Sequence, residues 1–251
     1  MAVGGTRGAM GASLVWISGA SSGIGEALAR TVPWPDARVV GISRRPPPVG
    51  EHLEADLASP ASWTTVWASF AAELEGFEGE RVVFVHAAGT LEPIGFAGEV
   101  DSVAYAANVT LNSAAPQVLG HLFLTAARPV EAARHLVLLT SGAASSVYPG
   151  WTSYGAGKAA VDQWVRNAGA EQSIRGGVHV LAVAPGTVAT DMQAQLRETE
   201  EADFPARQKF VDLHEEDELR DPDDVARDVW SLFDRGLENG SIVDLRKLTD
   251  G

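Results

Sequence analysis

The stretch "SLVWISGASSGIGEALA", Ser13 to Ala29, decides how the rest of the chain is read. Ser13 to Ser18 is a short apolar run with the character of a strand, and residues 22–31 carry helical spacing. Between them stand Gly19, Gly23 and Gly25. Glycine accepts the backbone angles of a tight turn and lets main-chain amides come close to a pyrophosphate, and a helix N-terminus behind the turn adds partial positive charge. Such a turn is a weak signal by itself. Placed after the first strand of a strand–helix–strand unit, it points to nucleotide binding.

Similar runs recur along the chain at 37–43, 81–89, 135–142, 178–186 and 241–246, nearly continuous in apolar character, as expected of strands covered on both faces. Segments with helical spacing lie between them, at 60–75, 101–127, 153–174 and 222–236. The last opens on Asp221 and Pro222, the signature of a capped helix start. This alternation predicts a single doubly wound, Rossmann-type α/β domain over 13–251, with a mostly parallel seven-stranded sheet and ligands at the carboxyl ends of its strands. Residues 1–12, rich in glycine, are expected to be a flexible tail, and the Pro-rich 44–52 a loop. The long segment 191–220 breaks the strand rhythm, as a lid or substrate loop would.

Composition narrows the partners. With 19 Lys plus Arg against 33 Asp plus Glu, the net charge of −14 argues against nucleic acid or an anionic membrane surface, and toward a small-molecule ligand. There is no cysteine, which removes disulfides, thiolate nucleophiles and Cys-ligated metals. The six His show no ligand spacing, so no metal is expected. With neither a leader-like apolar segment nor a run long enough to span a bilayer, a cytoplasmic protein is the expectation.

The end of the second strand carries chemistry of its own. An NAD site usually presents an acid there to the ribose hydroxyls; this chain has Ser43, Arg44 and Arg45. A guanidinium pairs bidentately with a 2′-phosphate, so NADP(H) is the expected cofactor, the plainer alternative being two exposed surface arginines. Further on, Tyr154 precedes Lys158 by one helical turn, which puts a phenol and an ammonium on one helix face.

Taken together, these features resemble the short-chain dehydrogenase/reductase family over nearly the whole chain after residue 12. Its Thr-Gly-x-x-x-Gly-x-Gly pattern appears as Ser18 to Gly25, with serine first. The resemblance implies cofactor contacts from Gly19, Ser21, Ser22, Gly23, Ile24 and Gly25, from Ser43 to Arg45, from Asp56 and Leu57 beside the adenine, and from Ala88 and Gly89. "PGTVATDM" matches the segment beneath the nicotinamide and implies Pro185, Gly186, Val188 and Thr190. Asn108, Ser141, Tyr154 and Lys158 match the family's catalytic four, with Ser141 thirteen residues before Tyr154. The chain departs from the family at His86-Ala87, where Asn-Asn is usual, and this questions how the loop to Gly89 is braced.

In the mechanism the resemblance implies, Tyr154 protonates the carbonyl oxygen while hydride reaches its carbon. Lys158 lowers the phenol's pKa and holds the cofactor ribose, Ser141 bonds the carbonyl oxygen, and Asn108 supports a water that replaces the proton. Ser141, Tyr154 and Trp151 are the expected substrate contacts. Tyr148, Phe204 and Phe210 either line an apolar pocket with Trp151 or pack under a lid. The region after Thr190 and the ending Val243-Asp244-Leu245-Arg246 look most like the branch containing sepiapterin reductase and bacterial benzil reductase, which implies a homodimer that reduces one carbonyl of a vicinal diketone. Two alternatives stand: an NADP-dependent alcohol dehydrogenase of another substrate class, and a redox-sensing regulator that binds NADP without turnover, the latter disfavoured because Tyr154 and Lys158 are both present.

Overall fold

The computed structural model describes residues 13–248, so the expected tail at 1–12 lies outside the described residues. Seven strands form one sheet: β1 (Ser13–Ser18), β2 (Ala37–Ser43), β3 (Glu51–Glu54), β4 (Arg81–His86), β5 (Ala133–Leu139), β6 (His179–Ala184) and β7 (Ile242–Asp244). Their order is β3-β2-β1-β4-β5-β6-β7, and every pairing is parallel. The order reverses between β1 and β4, which opens a crevice at their carboxyl ends.

Helices cover both faces. The period-two alternation of β1 shows why the strands read as continuous apolar runs. Leu14 and Trp16 face a core built with α2 (Trp63–Leu74), α4 (Ala115–Ala127) and α5 (Thr152–Arg175). Val15 and Ile17 face a second core, against α1 (Gly23–Arg30) and α8 (Pro222–Ser231). In the first, Phe70 meets the edge of Trp16 at 5.1 Å and of Phe123 at 5.5 Å. Asp221 caps α8, accepting from the amide of Asp223 at 2.8 Å.

Two elements differ from the expectation. The supposed loop after Pro48 contains β3, an exposed edge strand whose Glu51 is bound by Arg38 at 2.6 Å; charged residues protect such an edge, and they also hide it from hydrophobic patterning. The long helix expected over 101–127 is broken: α3 (Ser102–Val109) passes through a π-helical stretch at Thr110–Ala114 before α4. Pro116 brings no N–H to the carbonyl four residues back, that of Asn112, so the regular ladder cannot run through. The segment 191–220 is also partly helical, with α6 (Asp191–Glu198) and α7 (Arg207–Glu215). Among the described residues no helix is long and apolar enough to cross a membrane, and no cluster of three or more His, Asp or Glu could hold a metal.

Candidate active site

Two clefts meet over the carboxyl ends of the central strands. The larger encloses about 1450 Å³ open to solvent, the other about 1010 Å³. Both are lined by Ile24, Ala87, Gly89, Thr190 and Met192, so they form one continuous groove. Gly19, Ser21 to Gly25, Ser43 to Arg45, Asp56, Leu57, Ala88 and Asn108 line the larger part. Ser141, Trp151, Tyr154, Lys158, Pro185, Gly186 and Val188 line the smaller.

The glycine turn is a cradle that side chains would fill. A Cβ on Gly25 would lie 2.3 Å from the Gly19 carbonyl oxygen, and one on Gly19, where φ is +72°, would lie 2.9 Å from Ala88 Cα. Ser22 starts α1 in extended conformation without a side-chain cap, which leaves the first-turn amides to an anion. Across the groove, Ser43 is buried and its hydroxyl donates to the Arg45 carbonyl at 2.6 Å, fixing the loop from which Arg44 and Arg45 stand exposed. Among the described residues neither arginine has a carboxylate partner.

His86 is fully buried, and its Nδ1 lies 3.1 Å from Ser18 Oγ. The same hydroxyl accepts from the amides of Ala87 and Ala88, each at 3.1 Å. Ser18 thus braces the loop where the family's amides are missing. Burial, with a smaller contribution from the Lys158 charge, holds the imidazole at a pKa of about 3, so His86 is neutral. Ser18→Ala leaves a buried ring nitrogen and the Ala88 amide short of a partner, while the Ala87 amide keeps the Ser18 carbonyl at 3.3 Å. A loss of about 1–3 kcal/mol is expected, read from urea denaturation, and an unchanged midpoint counts against the brace.

On the facing wall, Tyr154 and Lys158 are buried on one side of α5. The Lys158 ammonium donates to the Leu139 carbonyl at 2.9 Å and lies 5.7 Å from the Tyr154 ring centroid. The electrostatics run opposite to the expectation. Burial pushes the phenol above its ordinary value, opposed by a hydrogen bond with Ser141, and burial also pushes Lys158 down to about 8. Desolvation outweighs attraction here because both groups are withdrawn from water and the ammonium is turned to the strand carbonyl.

Asn112, which the sequence reading missed, sits in the π-helical stretch. Its amide is clamped to one backbone residue: Nδ2 donates to the Thr90 carbonyl at 2.8 Å, and Oδ1 accepts from the Thr90 amide at 3.2 Å. A Cβ built on Gly89 would stand 2.9 Å from Asn112 Oδ1 and 3.7 Å from Lys158 Nζ, so both groups flank that glycine. Asn108 lies one turn earlier, donating to the Glu92 carbonyl at 2.6 Å and accepting from Asn112 at 3.0 Å. Of the two amides, Asn112 is the one placed beside the lysine. The signal that could have found it is Pro116, four residues on.

Aromatic side chains close the outer end. Trp151 packs on Tyr154 with centroids 5.3 Å apart and on Tyr148 at 5.2 Å. Tyr148, Trp151 and Phe210 line the cleft, with Met192, Gln193 and Leu196 from α6, whereas Phe204 is fully buried behind Trp151 at 4.6 Å. Both expectations for the aromatics thus hold in part: three line the pocket and one packs beneath it.

Residues 13–201 match the family model described as short chain dehydrogenase. The chain belongs to the short-chain dehydrogenase family. It is therefore an oxidoreductase acting between C=O and CH–OH groups. Benzil reductase ((S)-benzoin forming) of Bacillus subtilis (strain 168) is 30% identical over 236 residues, covering 92% of this chain and 97% of that protein. Sepiapterin reductase of Bos taurus is 30% identical over 264 residues, with 96% and 97% covered. Among solved structures, the KRED1-Pglu enzyme superposes with a TM-score of 0.79 at 26% identity, covering 92% of this chain and all (100%) of the other.

Proposed function

We propose that the chain is an NADPH-dependent carbonyl reductase acting on ketones, in particular on one carbonyl of a vicinal diketone, with Tyr154 as the general acid, and that it works as a cytoplasmic homodimer. One observation carries this reading: Ser141, Tyr154 and Lys158 share a wall of the cleft that continues into the glycine cradle. The cradle fits a dinucleotide, since glycines hold open the space against the α1 N-terminus, and Arg44 and Arg45, which line the same groove without a carboxylate partner among the described residues, favour a 2′-phosphate. Vicinal diketones are favoured because relatives similar along almost their whole length are named benzil and sepiapterin reductases. The homodimer rests on the resemblance of the ending Val243-Asp244-Leu245-Arg246 to the sepiapterin and benzil reductase branch.

When bound, NADPH supplies hydride to the carbonyl carbon. The protein's share is the oxygen. Ser141 donates a hydrogen bond to it, and the Tyr154 phenol transfers a proton as negative charge builds there. Lys158 holds the cofactor ribose and steadies the phenolate that remains. Asn112, supported by Asn108, orders the polar path by which the phenol regains its proton. Positioned acid catalysis contributes about 10²–10⁴-fold, and orientation in the groove must supply much of the remainder.

NADPH oxidation with benzil, other aromatic diketones, pterins, sugars and simple ketones, with NADH run beside it, tests the proposal. Turnover is expected with diketones and NADPH; activity confined to sugars, or a preference for NADH, refutes it. Arg44→Ala should raise KM for NADPH about tenfold while NADH moves much less, the size expected for one charged hydrogen bond. An unchanged ratio removes Arg44 as the phosphate reader.

A further inference from the structure

Beyond the aromatic wall, the cleft ends in a cation that the reaction does not use. The chain has only three lysines: Lys158, Lys209 and Lys247. Lys209, near the start of α7, lines the cleft; its ammonium donates to the Tyr148 hydroxyl at 2.9 Å and lies 5.3 Å from that ring and 5.8 Å from the Phe210 ring. Among the described residues no carboxylate lies within ion-pair distance of it, although acids far outnumber bases in the chain. The other cation of the rim, Arg246, is committed to Asp244 at 2.7 and 2.9 Å. Lys209 thus keeps donor capacity directed at the cleft mouth.

The route inward gives the scale of the site. From Lys209 it passes the Tyr148 ring, the Trp151 ring 5.2 Å further on, and the Tyr154 ring 5.3 Å beyond that. The cation and the reacting phenol are thus separated by two aromatic rings of wall. An aryl group lying against that wall with its carbonyl at Ser141 and Tyr154 would place its far substituent beside Lys209. Resting on the carbonyl-reductase reading above, we propose that Lys209 and the Tyr148 hydroxyl form a subsite for a carboxylate at the end of an aryl diketone remote from the reduced carbonyl. A carboxylate meets an ammonium and a hydroxyl donor there, whereas a neutral ester of the same shape leaves the ammonium unpaired.

The test compares 4-carboxybenzil with its methyl ester, at saturating NADPH, in the wild type, Lys209→Met and Lys209→Arg. The wild type should favour the acid over the ester about tenfold in kcat/KM, mainly through KM, with the preference weakening as salt is raised. Lys209→Met should abolish that preference and Lys209→Arg should keep it, an outcome that general damage to the lid would not produce. A wild type indifferent to the charge, or a preference that survives in Lys209→Met, overturns the subsite and leaves the reductase reading standing. Failure of the wild type to oxidise NADPH with the acid, the ester and benzil alike removes both.

Discussion

Tyr154→Phe is expected to lower kcat for diketone reduction by about 10²–10⁴-fold, the contribution of a positioned acid, while NADPH still binds with nearly unchanged affinity. The substitution removes one oxygen and leaves the ring that packs on Trp151 at 5.3 Å, so the pocket wall survives. The direction of the tyrosine's pKa sharpens the expectation. Burial, opposed by Ser141, keeps the phenol above its ordinary value, so at neutral pH it is a protonated donor ready for reduction. Alcohol oxidation needs the phenolate instead. In the wild type reduction should therefore hold steady through neutral pH, whereas oxidation should climb as the medium becomes alkaline. Fluorescence quenching by NADPH and single-turnover absorbance separate binding from chemistry. Wild-type turnover in the Tyr154→Phe variant would remove the phenol from the mechanism.

The parts of this molecule that were legible in sequence are those whose signal is local. Ser13–Ser18 as a strand, the glycine cradle behind it and the Asp221 cap are each written in a few adjacent residues. What was hidden depends on what lies across space. β3 is too polar to show a buried face, because at the sheet edge only Leu53 of its four residues turns toward the core. Asn108 and Asn112 are four residues apart on what reads as one helix, and only the π-helical offset and the Thr90 clamp tell which of them stands by Lys158. Ser18 reads in sequence only as the serine that stands first in the glycine motif, yet its hydroxyl meets His86 across 68 residues of chain. The tyrosine's pKa was assigned the wrong direction for the same reason: spacing gives the distance to a cation along a helix but not the depth of burial.

That depth yields the second large effect, at Lys158. Lys158→Met should abolish reduction, since it removes the cation that holds the cofactor ribose in the proposed mechanism, and it should also change how stability varies with pH. In the unfolded chain the lysine keeps its proton to about pH 10.5, but in the folded protein burial holds it to about 8. Between those values the unfolded state binds more protons, so the wild type gains stability as pH rises through this window; below 8 the cost of the buried charge is carried in full. That cost is about 3 kcal/mol at pH 7 and about 1 kcal/mol at pH 9.5. Methionine carries no such cost, but it leaves the Leu139 carbonyl without the 2.9 Å hydrogen bond, a loss that does not vary with pH. The stability difference between variant and wild type should therefore shift in the wild type's favour by about 2 kcal/mol between pH 7 and 9.5, read from urea denaturation at both. A difference that stays flat would mean that Lys158 is better solvated than its place under Leu139 and Tyr154 implies. It would also take away the physical reason for a lysine poised, near neutral pH, between its charged and neutral forms.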